Sequence, residues 1–229
     1  MFAASLVHAA WSDHEEARDL ALDAAGLDTL RIEAGAGSLK VTGVPDNDRI
    51  VVTAVITVPD ADPDEAAKVM EERMVLSLER QGGRAELKSY FESGRSWFGD
   101  SPSIRLEVRV PARMALDVED GSGSIEIRDV SGDLELDDSS GSITLADVGG
   151  RIRLKDGSGS VDISGAGGDV DIVDGSGSIR LRRVTGSATI EDGSGSIDVA
   201  EVSGDVTIPD SGSGSVDVRE VQGRVVRDD

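Results

Sequence analysis

The stretch that decides the fold is DGSGSIEIRDVSGDLELDD, residues 120–138. It contains two copies of the pattern Gly-x-apolar-x-apolar, which start nine residues apart at Gly123 and Gly132. Apolar residues that alternate with polar ones are typical of a β-strand with one buried face. Gly, Ser and Asp between such short strands are the residues that tight turns require. The stretch therefore predicts two short strands joined by corners.

The same pattern recurs to the end of the chain with a period of 18 residues, broken by one inserted residue near PDSGSGS, 209–215. The glycines of the first half-repeat are Gly123, Gly141, Gly159, Gly177, Gly195 and Gly214, and those of the second are Gly132, Gly150, Gly168, Gly186, Gly204 and Gly223. Fixed self-similarity of this kind is the signature of a solenoid. We therefore predict an all-β fold: a two-strands-per-coil β-solenoid with 18-residue coils, each made of two nine-residue half-repeats.

The N-terminal half departs from this period after LRIEAGAGSLKVTGV, residues 30–44, which is itself an early copy of the repeat. Residues 62–73 are predicted to form a helix, because Asp62 can cap it and Pro63 suits its first turn. Further strands are expected at 49–58, 74–80, 84–91 and 103–110. We divide the chain into a signal-peptide remnant or disordered N-terminus (1–17), an N-terminal sheet with one α-helix and the early repeat (18–110), and the β-solenoid repeats (111–229).

Composition excludes several classes of function. The formal net charge of −22 argues against nucleic-acid binding, which needs clustered Lys and Arg to neutralise phosphates. The absence of cysteine removes disulfides and thiol chemistry. No run of apolar residues approaches the roughly 18 that a membrane span needs. The opening MFAASLVHAAW, residues 1–11, resembles the last part of a secretory signal.

An aspartate opens the Gly-Ser corner of every coil. The series is Asp120, Asp138, Asp156, Asp174, Asp192 and Asp210. Carboxylates on neighbouring strands, about 4.8 Å apart, repel each other by roughly 1 kcal/mol in water. The structural interpretation is an Asx-turn, in which each carboxylate accepts a hydrogen bond from the backbone N–H two residues on. The functional alternative is a row of Ca²⁺ ions, the only cofactor that the sequence suggests. Against it, the ligand Asp of nine-residue calcium-binding repeats would fall here on Ile125 and Ile143.

Aromatic residues are concentrated in one segment. Of the six in the chain, four lie in SYFESGRSWFGDS, residues 89–101. The candidate partner-binding residues are Tyr90, Phe91, Arg95, Trp97 and Phe98. Aromatic and Arg side chains dominate binding hot spots. The alternative is that these rings cover the open end of the solenoid or pack on the helix.

Catalysis has little support in the sequence. The serines of the corners have no histidine partner there, since the only two histidines are His8 and His14. A carbohydrate-active enzyme with a pair of carboxylates is formally open, but few aromatic residues are available to stack on sugars. We therefore predict that the protein is not an enzyme.

Three passages carry a family resemblance: RVPARMALDVEDGSGSI (109–125), AGAGSLKVTG (34–43) and the Gly-Ser-Gly-Ser-Ile repeats. Together they resemble a bacterial family of β-strand-repeat proteins of unknown function, whose members are often labelled "putative adhesins". The resemblance covers about residues 18–226. It implies a β-solenoid, often located beyond the cytoplasmic membrane, and it supplies no catalytic residues.

These observations lead to one functional expectation. The protein is predicted to be a non-enzymatic, exported β-solenoid that serves as a structural or interaction module of the bacterial envelope, in the periplasm or on the cell surface. Its partner would be an envelope protein or a glycan. A calcium-stabilised repeat protein is the alternative. Arg227 occupies a position where earlier coils have inward-facing apolar residues, which disfavours growth into filaments.

Overall fold

The computed structural model describes residues 13–92 and 101–227, which form 19 strands and one helix. The elements of the N-terminal half are β1 (His14–Asp23), β2 (Thr29–Ala36), β3 (Leu39–Val44), β4 (Arg49–Val58), α1 (Pro63–Arg73), β5 (Met74–Gln81), β6 (Arg84–Phe91) and β7 (Ser103–Pro111). The repeats contribute β8 (Ala115–Val130), β9 (Leu134–Asp138), β10 (Gly141–Val148), β11 (Ile152–Asp156), β12 (Gly159–Ala166), β13 (Val170–Asp174), β14 (Gly177–Val184), β15 (Ala188–Asp192), β16 (Gly195–Val202), β17 (Val206–Asp210), β18 (Val216–Val221) and β19 (Val225–Arg227). The predicted all-β solenoid with one helix is confirmed.

The strands form two sheets. Sheet 1 runs in the order β1-β4-β7-β3-β8-β10-β12-β14-β16-β18. Sheet 2 runs in the order β5-β6-β2-β8-β9-β11-β13-β15-β17-β19. The long strand β8 belongs to both sheets, with its first half in sheet 2 and its second half in sheet 1. Each half-repeat pairs in parallel with the equivalent one of the next coil, so that Ile143 lies between Ile125 and Val161.

The core lies between the two sheets, and from β8 onward its hydrophobic side chains are all small or medium-sized aliphatic ones. In β9 the inward residues Leu134 and Leu136 are buried, whereas the alternate residues Glu135 and Asp137 are exposed. The second corner of each coil, which leads from the strand of sheet 1 to the next strand of sheet 2, adds one more inward side chain. These corner residues are Val130, Val148, Ala166, Val184 and Val202, all buried, followed by the half-buried Val221. The predicted arrangement, short strands with one buried face joined by corners, is confirmed.

The order of the first coils in space differs from their order in the chain. The coil formed by β2 and β3 pairs directly with β8, with Leu30 beside Leu116 and Leu39 beside Ile125. On its other side it pairs with β6 and β7, although these strands come later in the sequence. The early copy of the repeat thus stacks directly on the later coils, although the sequence analysis grouped it with the N-terminal sheet. Both sheets also run without interruption from the N-terminal strands into β8.

The N-terminal end of the solenoid is closed by antiparallel strands and by α1. Strand β4 pairs antiparallel with β7, β1 with β4, and β5 with β6. Helix α1 connects β4 to β5, is capped by Asp62, and buries Ala66 and Met70 in the core. Strand β1 begins at His14, inside the 1–17 segment of the sequence analysis. At the other end Arg227 pairs with Ile208, as its position in the repeat predicts, and it is exposed at the end of the solenoid.

Within residues 13–92 and 101–227, no helix is long and apolar enough to cross a membrane. Helix α1, with 11 residues, is far shorter than the roughly 20 residues that a spanning helix needs.

The second corner also holds one residue per coil in the left-handed region of backbone conformation. These residues are Asp129, Asp147, Gly165, Arg183, Glu201 and Glu220, with φ between 54° and 80°. For a residue with a Cβ, this conformation costs roughly 1–2 kcal/mol. Of these six coils, only the one with Gly165 avoids that cost, because glycine has no Cβ.

Glu201→Gly is therefore expected to stabilise the protein by about 1 kcal/mol, because it removes the Cβ from a left-handed position. The measurement is the free energy of unfolding in urea. Glu191→Gly is the matched control, since Glu191 is an exposed glutamate inside β15. That variant should lower stability by about 0.5–1 kcal/mol. Equal losses of unfolding free energy in both variants would contradict the interpretation that the left-handed backbone conformation of Glu201 is costly.

Candidate functional site

One corner of the solenoid carries a long insertion. In the coil of β2 and β3, the chain passes from Ala34 to Leu39 in 5 residues. The equivalent positions in the coil of β6 and β7 are Ser89 and Leu106, which are 106 − 89 = 17 residues apart. This Gly-Ser-type corner is thus 17 − 5 = 12 residues longer than its neighbour. We call residues 90–105 the corner insertion.

The corner insertion contains the whole predicted aromatic cluster. Tyr90 and Phe91 are half-buried at the end of β6, opposite Val75 and Met74 of β5. Phe91 packs against the core, whereas Tyr90 lies on the other face of the sheet, against Gly35. The other candidate partner-binding residues, Arg95, Trp97 and Phe98, lie outside the described residues.

The base of the insertion is tied to the helix. The backbone N–H of Glu92 donates to the carbonyl oxygen of Arg73 at 2.8 Å. In return, the Arg73 guanidinium donates to the Glu92 carbonyl oxygen through Nε at 3.1 Å and through NH2 at 3.0 Å. Three hydrogen bonds between the last residue of α1 and the residue after β6 therefore fix the direction in which the chain leaves the sheet.

The aspartate series forms a second unusual feature, an interior row at the Gly-Ser corner. We call Asp120, Asp138, Asp156, Asp174 and Asp192 the Asp ladder. Their side chains point inward, and the residues are between 1% and 7% exposed. Consecutive members pair directly across the strands of sheet 2. The sequence predicted the series but not its burial.

Asp210 does not continue the ladder. The strand register shifts between Thr189 and Glu191, so that Asp210 pairs with Glu191 and not with Asp192. Asp210 is exposed as a result. The cause is a β-bulge in which two residues of β17, Ile208 and Pro209, lie opposite the single residue Ile190, so that Asp210 turns to the other face of the sheet.

The Asx-turn interpretation is confirmed for five of the six aspartates in the series. The Oδ1 atoms of Asp138, Asp156, Asp174 and Asp192 accept hydrogen bonds from the backbone N–H two residues on, at 3.0–3.3 Å. The exposed Asp210 makes the same bond with Gly212 at 2.9 Å. These turns provide a hydrogen-bond donor for one oxygen, Oδ1, of each of these carboxylates. The Oδ2 atoms of all five ladder residues are buried without any hydrogen-bond partner.

Burial changes the ionisation of the ladder. Desolvation, and after it the charge of neighbouring ladder carboxylates, raises the pKa of Asp120 to about 7 and that of Asp174 to about 6. Desolvation also raises the pKa values of Asp138, Asp156 and Asp192 above the ordinary range of aspartate. In the part of the chain that the structure describes, no three acidic or histidine side chains converge as a metal ion would require. Calcium binding along the series stays a prediction.

The other chemically reactive residues are not brought together. His14 starts the edge strand β1, and His8 lies outside the described residues. In four Gly-Ser corners the serine two residues after the ladder aspartate uses its backbone N–H in the Asx-turn, as Ser158 and Ser176 do.

The fold and the corners define a class of protein: a two-sheet β-solenoid of parallel, in-register coils, capped by a helix and extended by one corner insertion. The chain belongs to the Toastrack DUF4097 family, whose model matches residues 53–225. No curated protein matches the chain.

Solved structures with a similar fold include a "putative cell adhesion protein" from Clostridium sporogenes, with 10% identity and a TM-score of 0.41 over 94% of this chain and 100% of that one. A "putative adhesin" from Parabacteroides distasonis has 13% identity and a TM-score of 0.39 over 93% and 97% of the two chains. A "putative lipid binding protein" from the same species has 14% identity and a TM-score of 0.31 over 94% and 97%. Likenesses this distant say nothing about what this chain binds.

Proposed function

We propose that this protein is a non-enzymatic interaction module of the bacterial envelope, and that the corner insertion is the surface with which it contacts its partner. The observation that carries the proposal is the length of this corner. A solenoid coil needs only a few residues to turn, and insertions in repeat proteins are commonly found on the binding face. The neighbouring coil of β2 and β3 makes the same turn without these 12 additional residues.

The chemistry of the insertion supports binding. In a chain with only 3% aromatic residues, four of the six aromatic side chains lie in this one corner. Trp, Tyr and Arg are the residues that contribute most to protein–protein hot spots. We therefore infer that the partner is a protein of the envelope, and a glycan is the other outcome of the test. The rigid solenoid would present the insertion, because loops on a fixed scaffold often carry function.

Export is part of this proposal and rests on the apolar sequence 1–11, whose structure is not described. The calcium-binding alternative has no supporting geometry among the described residues, so it is left to the experiment on the Asp ladder below.

The test places a photo-crosslinking amino acid at position 97, in cells that express the full chain. Position 173 serves as the control, because Val173 is 47% exposed on the outer face of β13, in the repeats. We expect a discrete crosslinked protein that appears from position 97 and is absent from position 173. The crosslink should be lost when Tyr90 and Phe91 are changed to Ala in a variant whose circular dichroism is unchanged.

Two results would contradict the proposal. One is the same crosslinked species from both positions, which would indicate nonspecific proximity. The other is a double negative result: position 97 gives no crosslink, and in the unmodified protein the addition of envelope glycans does not protect the fluorescence of Trp97 from quenching. Protection by a glycan without a protein crosslink would assign the site to a sugar ligand.

A further inference from the structure

The Asp ladder places five carboxyl groups in a row inside the protein. Asp120 lies beside Asp138, Asp138 beside Asp156, Asp156 beside Asp174, and Asp174 beside Asp192, each pair on adjacent parallel strands. Adjacent strands are about 4.8 Å apart, so neighbouring carboxyl groups are close enough to interact strongly. The row is shielded from water, because its members are at most 7% exposed.

Each carboxyl group of the Asp ladder, which we call a rung, has one oxygen that no hydrogen-bond donor reaches. The Asx-turn satisfies Oδ1, but no N–H or O–H group in the described residues reaches Oδ2. A buried, unpartnered carboxylate oxygen is costly, and more so when the next rung carries the same charge. The row also ends on an unsatisfied hydroxyl, since Ser89 of β6 is 2% exposed and its Oγ has no partner. Ser89 is aligned with the ladder through Ala34.

Among the residues that the structure describes, no cationic side chain compensates the ladder. The strands of sheet 1 that follow this corner direct apolar side chains into the core. These side chains are Ile125, Ile143, Val161, Ile179 and Ile197. On sheet 2, the charged neighbours Asp137, Lys155 and Glu191 lie on the outer face, where Lys155 pairs with Asp137 at 3.6 Å. The charged groups beyond the ladder that act on its rungs are Asp137, on Asp138, and Asp210, on Asp192, and both are anions.

In a row of buried carboxylates without a cation, the binding of protons reduces the electrostatic repulsion between neighbours. A carboxyl group that keeps its proton becomes a donor, and the orphan Oδ2 of the next rung is the acceptor that lies nearest along the row. We propose that the Asp ladder is a proton-binding site in which protonated rungs donate hydrogen bonds to the Oδ2 atoms of ionised neighbours. The protons belong to the row as a whole, because coupled carboxyl groups titrate together.

The electrostatics agree with this geometry. The pKa of Asp120 is raised to about 7 and that of Asp174 to about 6, in both cases first by desolvation and then by the neighbouring carboxylates. A carboxyl group whose pKa is higher in the folded than in the unfolded state binds additional protons on folding. The contribution of the ladder to stability is therefore fully present below the ordinary pKa of aspartate and is lost as the pH rises through the folded values, between about 4 and about 7.

The direct test is ¹³C NMR of the full chain labelled at the aspartate carboxyl carbons. We expect carboxyl resonances that titrate above the ordinary range of exposed aspartates. Each should disappear when its own ladder residue is replaced, in Asp138→Asn, Asp156→Asn or Asp174→Asn. If every carboxyl group titrates below about pH 4.5, the proposal is overturned.

Thermal melting supplies a second readout. In Asp156→Asn the side-chain oxygen can still accept the Ser158 N–H, while the new amide donates permanently to a neighbouring Oδ2. We expect a higher Tm at about pH 8 and a weaker decrease of Tm between about pH 5 and 8 than in the unmodified protein. Asp171→Asn is the matched control, because it removes the same charge from an exposed position on β13.

Equal changes of Tm in Asp156→Asn and Asp171→Asn would overturn the proposal. They would reflect only the loss of one negative charge from a chain of net charge −22. The melts are repeated with EDTA and with millimolar calcium chloride. Stabilisation by calcium that is lost in Asp156→Asn would also overturn it and would assign the ladder to a metal ion.

Discussion

Gly159→Ala is expected to prevent the solenoid from folding, or to lower its stability by at least about 4 kcal/mol, a large part of the 5–15 kcal/mol that stabilises a typical domain. Gly159 has φ of +147°, and an added Cβ would overlap the carbonyl oxygen of Gly141 in the preceding coil. The same arrangement recurs at every Gly-Ser corner of the repeats. The oxygen cannot move away freely, because Gly141 and Gly159 each donate a backbone hydrogen bond to the next coil, at 3.0 and 2.9 Å.

Two glycines of the turn between β5 and β6 are controls for this prediction. Gly82 also has positive φ, +64°, but an added Cβ would meet nothing within 4 Å. Gly82→Ala should therefore cost only about 1 kcal/mol, the conformational part of the effect. Gly83→Ala, which has open space and no positive φ, should be nearly neutral. The measurements are soluble yield, circular dichroism and unfolding in urea. A Gly159→Ala protein as stable as Gly82→Ala would show that the coils can separate locally.

The second large effect is expected from Ile172→Ala. Ile172 is 1% exposed, and it is stacked between Leu154 and Ile190 of the neighbouring coils. The truncation removes buried methyl groups and leaves a cavity, for a loss of about 2–5 kcal/mol. Because each coil contacts only its neighbours, the loss should be local. Hydrogen exchange should therefore rise first in the strands of sheet 2 next to β13.

Val173→Ala is the control for this core substitution. Val173 follows Ile172 on the same strand, but its side chain is on the outer face and is 47% exposed. Its replacement should cost less than about 1 kcal/mol, which is the scale of strand propensity alone. Similar losses in the two variants would contradict the assignment of inward and outward faces.

The repeats could be predicted from the sequence because every level of the structure has the same period. Gly recurs where the corner requires it, and the alternation of apolar residues, as in Leu134 and Leu136, marks the buried face of each strand. Since the coils are stacked in register, one correct coil determines the next. The helix was equally predictable, because Asp62 and Pro63 are a local signal for a helix start that needs no tertiary contact.

The candidate sites were predicted only in part. The aromatic cluster could be recognised from composition, but its position on a lengthened corner required the register that aligns Ser89 with Ala34 and Leu106 with Leu39. The aspartate series was also visible, and so was its turn chemistry. Its burial was not, because an aspartate that starts a turn can point either way.

The sequence by itself determined the solenoid, its 18-residue coils and the residues that face the core, since these depend on local periodicity and on interactions between adjacent repeats. Tertiary structure alone decided the order of the first coils, where β6 and β7 lie outside β2 and β3 although they follow them in the chain. It also decided that five aspartates share one interior row and that Asp210 leaves it. The physical reason is the same in each case: parallel half-repeats of similar pattern can pair in several orders, and only the packing of the whole molecule selects one.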